Sequence, residues 1–227
     1  MNNVSEHDEE QIKPHISQGD DVHETTTKFH QISPIFENAI NCVMDALKII
    51  EQDWEDSGDR MPIHSITSRV KSPNSIQKKL TRHGLPFTID NVMHNLHDIA
   101  GVRVICKYIS DIYRVRDLLL ASDKFTFIKE KDYIKTPKPS GYRSLHLIVE
   151  TDVAVGEEVK KIRCEIQLRT SAMDSWASLE HNMRYKSDLP ENEQINDSLK
   201  KCAEVLHSTD LEMQRIAQQL NIIETEG

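Results

Sequence analysis

The sequence predicts a mixed α/β domain, a mixed β-sheet flanked by helices, with long helices towards both ends of the chain. Three observations carry that expectation. Phe36, Ile40, Val43, Leu47, Ile50 and Trp54 are spaced alternately by four and three residues, the signature of an amphipathic helix over 34–56. Short β-branched runs alternate with helical stretches through the middle of the chain. A final apolar seam, Ile195, Leu199, Cys202, Leu206, Thr209, Met213, Ile216, Leu220 and Ile223, repeats the four-and-three spacing over 191–223, as in a coiled coil.

Taken in order, residues 1–30 are polar and acidic without apolar periodicity, which predicts a flexible segment ahead of a single domain over 31–227. The first helix should end near Ser57-Gly58-Asp59. From Arg69 to Arg82 the chain reads as a cationic loop and helix: Ser72 is placed to cap, Pro73 suits the first helical position, and Ile76 with Leu80 form the apolar stripe. Residues 99–107 (IAGVRVICK) fit a short buried strand, 111–120 a helix and 125–133 another strand. Residues 144–151 and 161–168 read as a hairpin closed near Val155-Gly156-Glu157, and a helix follows over 170–186.

With 227 residues the chain is long enough to bury one core, and 37% hydrophobic residues with a net charge of −9 describe a water-soluble protein. No apolar run approaches the roughly 20 residues that cross a bilayer, and no apolar leader opens the chain, so the expectation is cytoplasmic with no membrane partner. Cys42, Cys106, Cys164 and Cys202 lie far apart with no C-x-x-C pair, which predicts buried thiols rather than a zinc ribbon or a disulfide framework. The acidic balance argues against general affinity for nucleic acid, which needs a broad cationic surface. Any phosphate-binding charge must be local.

Local charge is present. Arg69, Lys71, Lys78, Lys79 and Arg82 are uninterrupted by an acidic residue, and Lys129, Lys131, Lys135 and Lys138 lead into Pro139-Ser140-Gly141-Tyr142. Strand parity puts Tyr142, Ser144 and His146 on one face if the pairing of their strand starts early, and Arg163, Glu165 and Gln167 on one face of the next strand, with Ile162, Cys164, Ile166 and Leu168 opposite. Such a polar face can simply meet water, and Arg163 alone fits that description. Glu165 fits it less well, because Asp98 immediately precedes the strand that holds Arg103. Two carboxylates on neighbouring strands make a site for a hard cation once substrate phosphates complete the shell. Asp98 joins that face only from the mouth of its strand. Trp176, Leu179 and Met183 recur at helical spacing and are assigned to packing.

Several blocks, in one order, carry a resemblance: His97-Asp98-Ile99-Ala100-Gly101-Val102-Arg103, Asp132-Tyr133-Ile134, KPSGYRSLH over 138–146, Glu165-Ile166-Gln167-Leu168-Arg169-Thr170, and Trp176-Ala177-Ser178-Leu179-Glu180-His181 with Tyr185-Lys186. The chain resembles the small alarmone synthetases, whose catalytic domain also occurs in the long ribosome-associated stringent-response enzymes. The resemblance implies a nucleotidyltransferase-like synthetase domain with its catalytic core over 69–186. It implies transfer of pyrophosphate from ATP to the ribose 3′-OH of GDP or GTP, giving the alarmones ppGpp or pppGpp and AMP. By the same resemblance Asp98 and Glu165 hold Mg²⁺ and Glu165 activates the 3′-OH; both are the expected catalytic residues. Arg69 and Arg103 would bracket adenine, while Lys71, Ser75, Lys79 and Arg82 would meet the ATP phosphates. Tyr142 would stack on guanine, Lys131, Lys138 and His146 would hold the acceptor phosphates, and Gln167 would orient the acceptor. A homotetramer is implied, as is synthesis without a hydrolase domain. Some members contact RNA, which leaves a non-catalytic nucleotide- or RNA-binding regulatory module as the alternative; paired carboxylates beside phosphate favour the enzyme.

Overall fold

A computed structural model describes residues 22–186 and 193–224. The expected flexible segment over 1–21 lies outside the described residues. Helix α1 (Val22–Ser57) begins well before position 34, so 22–30, read from sequence as part of a flexible terminus, is helical. An internal proline hid this. Pro34 sits inside the helix and cannot donate to the His30 carbonyl, but the Ser33 hydroxyl donates to that carbonyl at 3.0 Å instead. Thr25 and Phe29 continue the buried stripe upstream of it, and the Phe29 and Phe36 rings stack with centroids 6.0 Å apart across the proline.

Strand β1 (Ile63–Val70) follows, then α2 (Pro73–Arg82), α3 (Ile89–Asn95), β2 (Ala100–Cys106), α4 (Ile109–Leu120), β3 (Thr126–Asp132), β4 (Leu145–Val155), β5 (Glu158–Thr170), α5 (Ser171–Lys186) and α6 (Glu193–Gln219). The five strands form one sheet in the order β1-β2-β5-β4-β3, in which only β2 and β5 run parallel. The expected β4–β5 hairpin forms and closes at Gly156, whose φ of +64° suits the turn. Strand β1 and helix α3 escaped the sequence analysis. The β1 sequence IHSITSRV is mostly polar, with only Ile63 buried and Ile66 and Val70 partly so, and their spacing of three and four does not alternate as a strand's would. Arg69 therefore stands on a strand, not in a loop.

One face of the sheet is apolar. Val102, Val104, Cys164, Ile166 and Leu168 join Val43 and Leu47 of α1 in the main core, so α1 covers this side. The opposite face follows from register. Thr67 pairs with Arg103, Arg103 with Gln167, Gln167 with His146, and His146 with Lys131, making one row across all five strands. Arg69, Gly101, Glu165, Ile148 and Lys129 make the neighbouring row. Directly paired residues share a face, so residues distant in sequence converge on one polar surface.

Helix α5, against β5 and β2, packs on α6 through Trp176, Ala177, Leu199 and Ala203. Leu179 and Met183, assigned to packing, are instead half-exposed within the chain, because the face of α5 they share has no covering element among the described residues. The α6 seam is likewise used only in part: Leu199 is buried, whereas Met213 is 54% and Leu220 65% exposed. Of the four thiols Cys106 and Cys164 are buried, Cys42 is partly so, and Cys202 is exposed, correcting the expectation for that residue.

Candidate functional site

The β1–α2 junction supplies one side of the site. Ser72 caps α2, its hydroxyl accepting from the Ser75 amide at 3.4 Å, and Pro73 occupies the first turn as expected. This start fixes Lys71 just ahead of the helix and Lys79 two turns along it. Both ammonium groups reach the same oxygen of Asp98, Oδ2, Lys79 at 2.9 Å and Lys71 in still closer contact. Asp98 does sit at the mouth of β2. Burial pushes its carboxyl pKa up, but the Lys71 and Lys79 charges outweigh this and hold it at about 2. Its other oxygen, Oδ1, is buried with no hydrogen-bond partner among the described residues.

Arg69, Lys71, Asp98, Gly101, Arg103, Glu165 and Gln167 line one cleft of about 210 Å³. Gly101 forms part of its floor, where the absent side chain leaves room between Arg69 and Glu165 in their row. Ser75 and Arg82 lie outside this lining. Ser75 is exposed and its hydroxyl meets that of Ser72 at 2.9 Å, while the Arg82 guanidinium donates to the Lys78 carbonyl at 3.4 Å. A larger depression of about 910 Å³ between the ends of α1, α4 and α6 is a weaker candidate, because its charges satisfy one another: Arg60 pairs with Asp111 and Arg114 with Asp59.

The other side is a closed ring of five hydrogen-bonded side chains. Glu165 Oε1 meets His146 Nδ1 at 3.0 Å, and His146 Nε2 meets the Tyr142 hydroxyl at 2.8 Å. Arg169 Nη2 donates to the Tyr142 hydroxyl at 2.7 Å and to Gln167 Oε1 at 2.9 Å. Gln167 Nε2 returns to Glu165 Oε2 at 2.6 Å. Arg169 can only donate and an ionised Glu165 can only accept, so both arms of the ring run in one direction, from guanidinium to carboxylate. In that direction the tyrosine hydroxyl donates to His146, and His146 donates to Glu165. Burial raises the Glu165 pKa, but the His146 contact and the Gln167 amide bring it below the ordinary glutamate value.

Arg169 was missed as a site residue, although the period-two face that holds Arg163, Glu165 and Gln167 continues to it. It is 5% exposed, a position an arginine holds only when its donors are met. Asp174, also missed, accepts a hydrogen bond from Arg169 and forms an ion pair with Arg103. Arg163 is engaged with the His97 ring at 2.8 Å and lies 3.7 Å from Glu150. Lys138 places its ammonium over the Tyr133 and Tyr142 rings, 4.6 and 5.0 Å from their centroids, and burial followed by the Lys131 charge lowers its pKa. Lys131 is exposed at the end of the His146 row.

The loop that carries Tyr142 is shaped by α6. Gly141 has φ +89°, and a Cβ there would stand 2.7 Å from the Ala203 Cβ and 3.3 Å from the Lys200 Cα. Any side chain at 141 must displace the loop or the helix, so glycine is what lets α6 press directly against the tyrosine loop.

The family described as a region found in RelA / SpoT proteins matches residues 68–189, from the end of β1 through α5. The chain belongs to this family. The RelA/SpoT-family chain is 43% identical to GTP pyrophosphokinase YwaC of Bacillus subtilis (strain 168) over 82% of its own length and 89% of that protein. Its fold superposes on the small alarmone synthetase 2 of Bacillus subtilis with TM-score 0.75 at 41% identity, covering 84% of this chain and 98% of that one. It superposes on the small alarmone synthetase 1 of the same organism, bound to its product pppGpp, with TM-score 0.78 at 32% identity, covering 85% and 98%. The cleft and the ring of this RelA/SpoT-family chain both lie within the matched region. Among the described residues no helix is long and apolar enough to cross a membrane.

Proposed function

We propose that this RelA/SpoT-family chain is a GTP pyrophosphokinase that makes pppGpp and ppGpp in the cytoplasm as part of a stress response. The observation that carries the proposal is the placing of Glu165 at the junction of two surfaces: the Arg69–Arg103 cleft on one side and the Tyr142–His146 ring on the other. ATP takes the cleft, with its phosphates towards Lys71 and Lys79, and the acceptor guanine nucleotide takes the tyrosine side. The acceptor 3′-oxygen bonds to the β-phosphorus of ATP, the bond from that phosphorus to the α–β bridging oxygen breaks, AMP leaves, and the 3′-OH proton passes to Glu165.

A carboxylate with a depressed pKa is a modest base but stays ionised, and phosphoryl-type transfer depends chiefly on positioning and charge stabilisation. The donor set fits a hard cation: Asp98 Oδ1 is buried and unpartnered, and the Asp98 charge is felt at Glu165. Among the described residues no cluster of three or more His, Cys, Asp or Glu can hold a metal alone, so substrate phosphates must supply further ligands. Asp98 and Glu165 would hold Mg²⁺, which would neutralise charge on the transferred group when bound.

The purified chain, given labelled ATP, GDP and Mg²⁺ without RNA, should release AMP and place the label on a guanosine tetraphosphate; no transfer would remove the proposal in favour of a binding module. Tyr142→Ala should raise the acceptor KM by about 5- to 150-fold, the worth of one stacked base, and move the ATP KM by less than about threefold. An equal rise for both nucleotides would withdraw the stacking role. The apolar residues left exposed on α5 and α6 support assembly into a homotetramer. Light scattering at four times the chain mass is expected, and a monomer at micromolar concentration would contradict it.

A further inference from the structure

Asp174 lies in the first turn of α5 and joins two arginines that belong to different halves of the site. Its Oδ1 accepts a hydrogen bond from Arg169 Nη1 at 2.9 Å and forms an ion pair with Arg103 Nη1 at 3.1 Å. Arg103 lines the cleft assigned to ATP, whereas Arg169 holds both the Tyr142 hydroxyl and Gln167 Oε1 on the acceptor side. The Arg103 Nε is buried with no hydrogen-bond partner among the described residues, and the guanidinium meets Asp174 through its Nη1 end. Burial, then the Arg169 charge, push the Arg103 pKa down, with Asp174 opposing them and Arg69 adding to them. Without a shared anion the two guanidiniums would repel across a partly desolvated gap.

We propose that Asp174 is a positioning residue that couples the two nucleotide subsites, so that a nucleotide ordering Arg103 also orders Arg169, and through it Tyr142 and Gln167. One oxygen contacts both guanidinium groups. Whichever nucleotide binds first bears the cost of ordering the pair, and the second binds to a surface already set. Thermodynamic reciprocity then requires ATP to tighten acceptor binding by the same factor as the acceptor tightens ATP binding. The inference rests on the assignment of the two subsites above and adds to it a residue and a linkage between them.

The test is calorimetric titration of GDP into the full chain, with and without a saturating non-hydrolysable ATP analogue. In the wild type the analogue should tighten GDP binding about fivefold or more, the lower end of common coupling energies. Asp174→Ala should reduce that factor to below about twofold while each nucleotide alone binds within about threefold of wild type; alanine is the best helix former, which favours retention of α5. Asp174→Asn keeps the shared oxygen without its charge and should give an intermediate factor. A purely structural role would weaken both single-nucleotide affinities and leave the factor unchanged, and that result overturns the proposal. If the wild type binds both nucleotides without coupling, the coupling alone is overturned. If it binds neither, the subsite assignment falls with it.

Discussion

Glu165→Gln should lower AMP formation by about a thousandfold while leaving the fold intact, within the range that loss of a positioned general base costs. The amide has nearly the same shape, so the β4–β5 pairing around it survives. Its chemistry does not. In the native ring Glu165 offers one oxygen to His146 and the other to Gln167. Glutamine has one acceptor and one donor end, so either His146 or the Gln167 amide faces a donor where it had an acceptor. The variant loses both the proton acceptor and one arm of the ring that positions Tyr142. Thermal unfolding should show a loss of about 1–2 kcal/mol, against a far larger loss of turnover. Turnover within tenfold of wild type would remove Glu165 from the proposed chemistry.

Asp98→Asn should lower turnover by at least about a hundredfold, since it removes charge from the residue on which Lys71 and Lys79 converge. It also leaves two ammonium groups facing one neutral amide. The Asp98 carboxyl is held at about 2 against an ordinary 3.8, a difference on the order of 2 kcal/mol in favour of the folded state. A depressed carboxylate stabilises the fold above its unfolded pKa, and that contribution is lost as pH falls through the folded value. The stability gap between wild type and Asp98→Asn should therefore be full at pH 7, begin to shrink near pH 4 and largely close by about pH 2. Urea unfolding of both proteins across that range measures it, and a gap that does not change with pH would show that Lys71 and Lys79 do not act through the Asp98 charge.

The Glu165 side of the site was largely legible in the sequence because strand parity is rigid. The face of Glu165 and Gln167, the hairpin turn at Gly156 and the capped start of α2 all follow from period and turn chemistry. Three things were not legible. Polar β1 offers no alternation to read, so its antiparallel pairing, which puts Arg69 beside Gly101, is visible only in the sheet. The start of α1 was masked by an internal proline whose lost hydrogen bond Ser33 replaces. The link from Arg169 through Asp174 to Arg103 joins a strand end, a helix and a neighbouring strand, and no single periodicity relates them. Arg82 and Ser75 lie within about a turn of Lys79 along α2, yet both stand outside the cleft lining, Ser75 against the Ser72 hydroxyl and Arg82 on the Lys78 carbonyl.

The most direct measurement is a crystal structure of the Glu165→Gln chain with a non-hydrolysable ATP analogue, GDP and Mg²⁺ bound together. The acceptor 3′-oxygen should lie within about 3.2 Å of the side chain at 165 and in line with the β-phosphorus, with Asp98 on the same metal ion. A 3′-oxygen directed away from residue 165, or a metal bound without Asp98, would contradict a reaction centred between these two carboxylates.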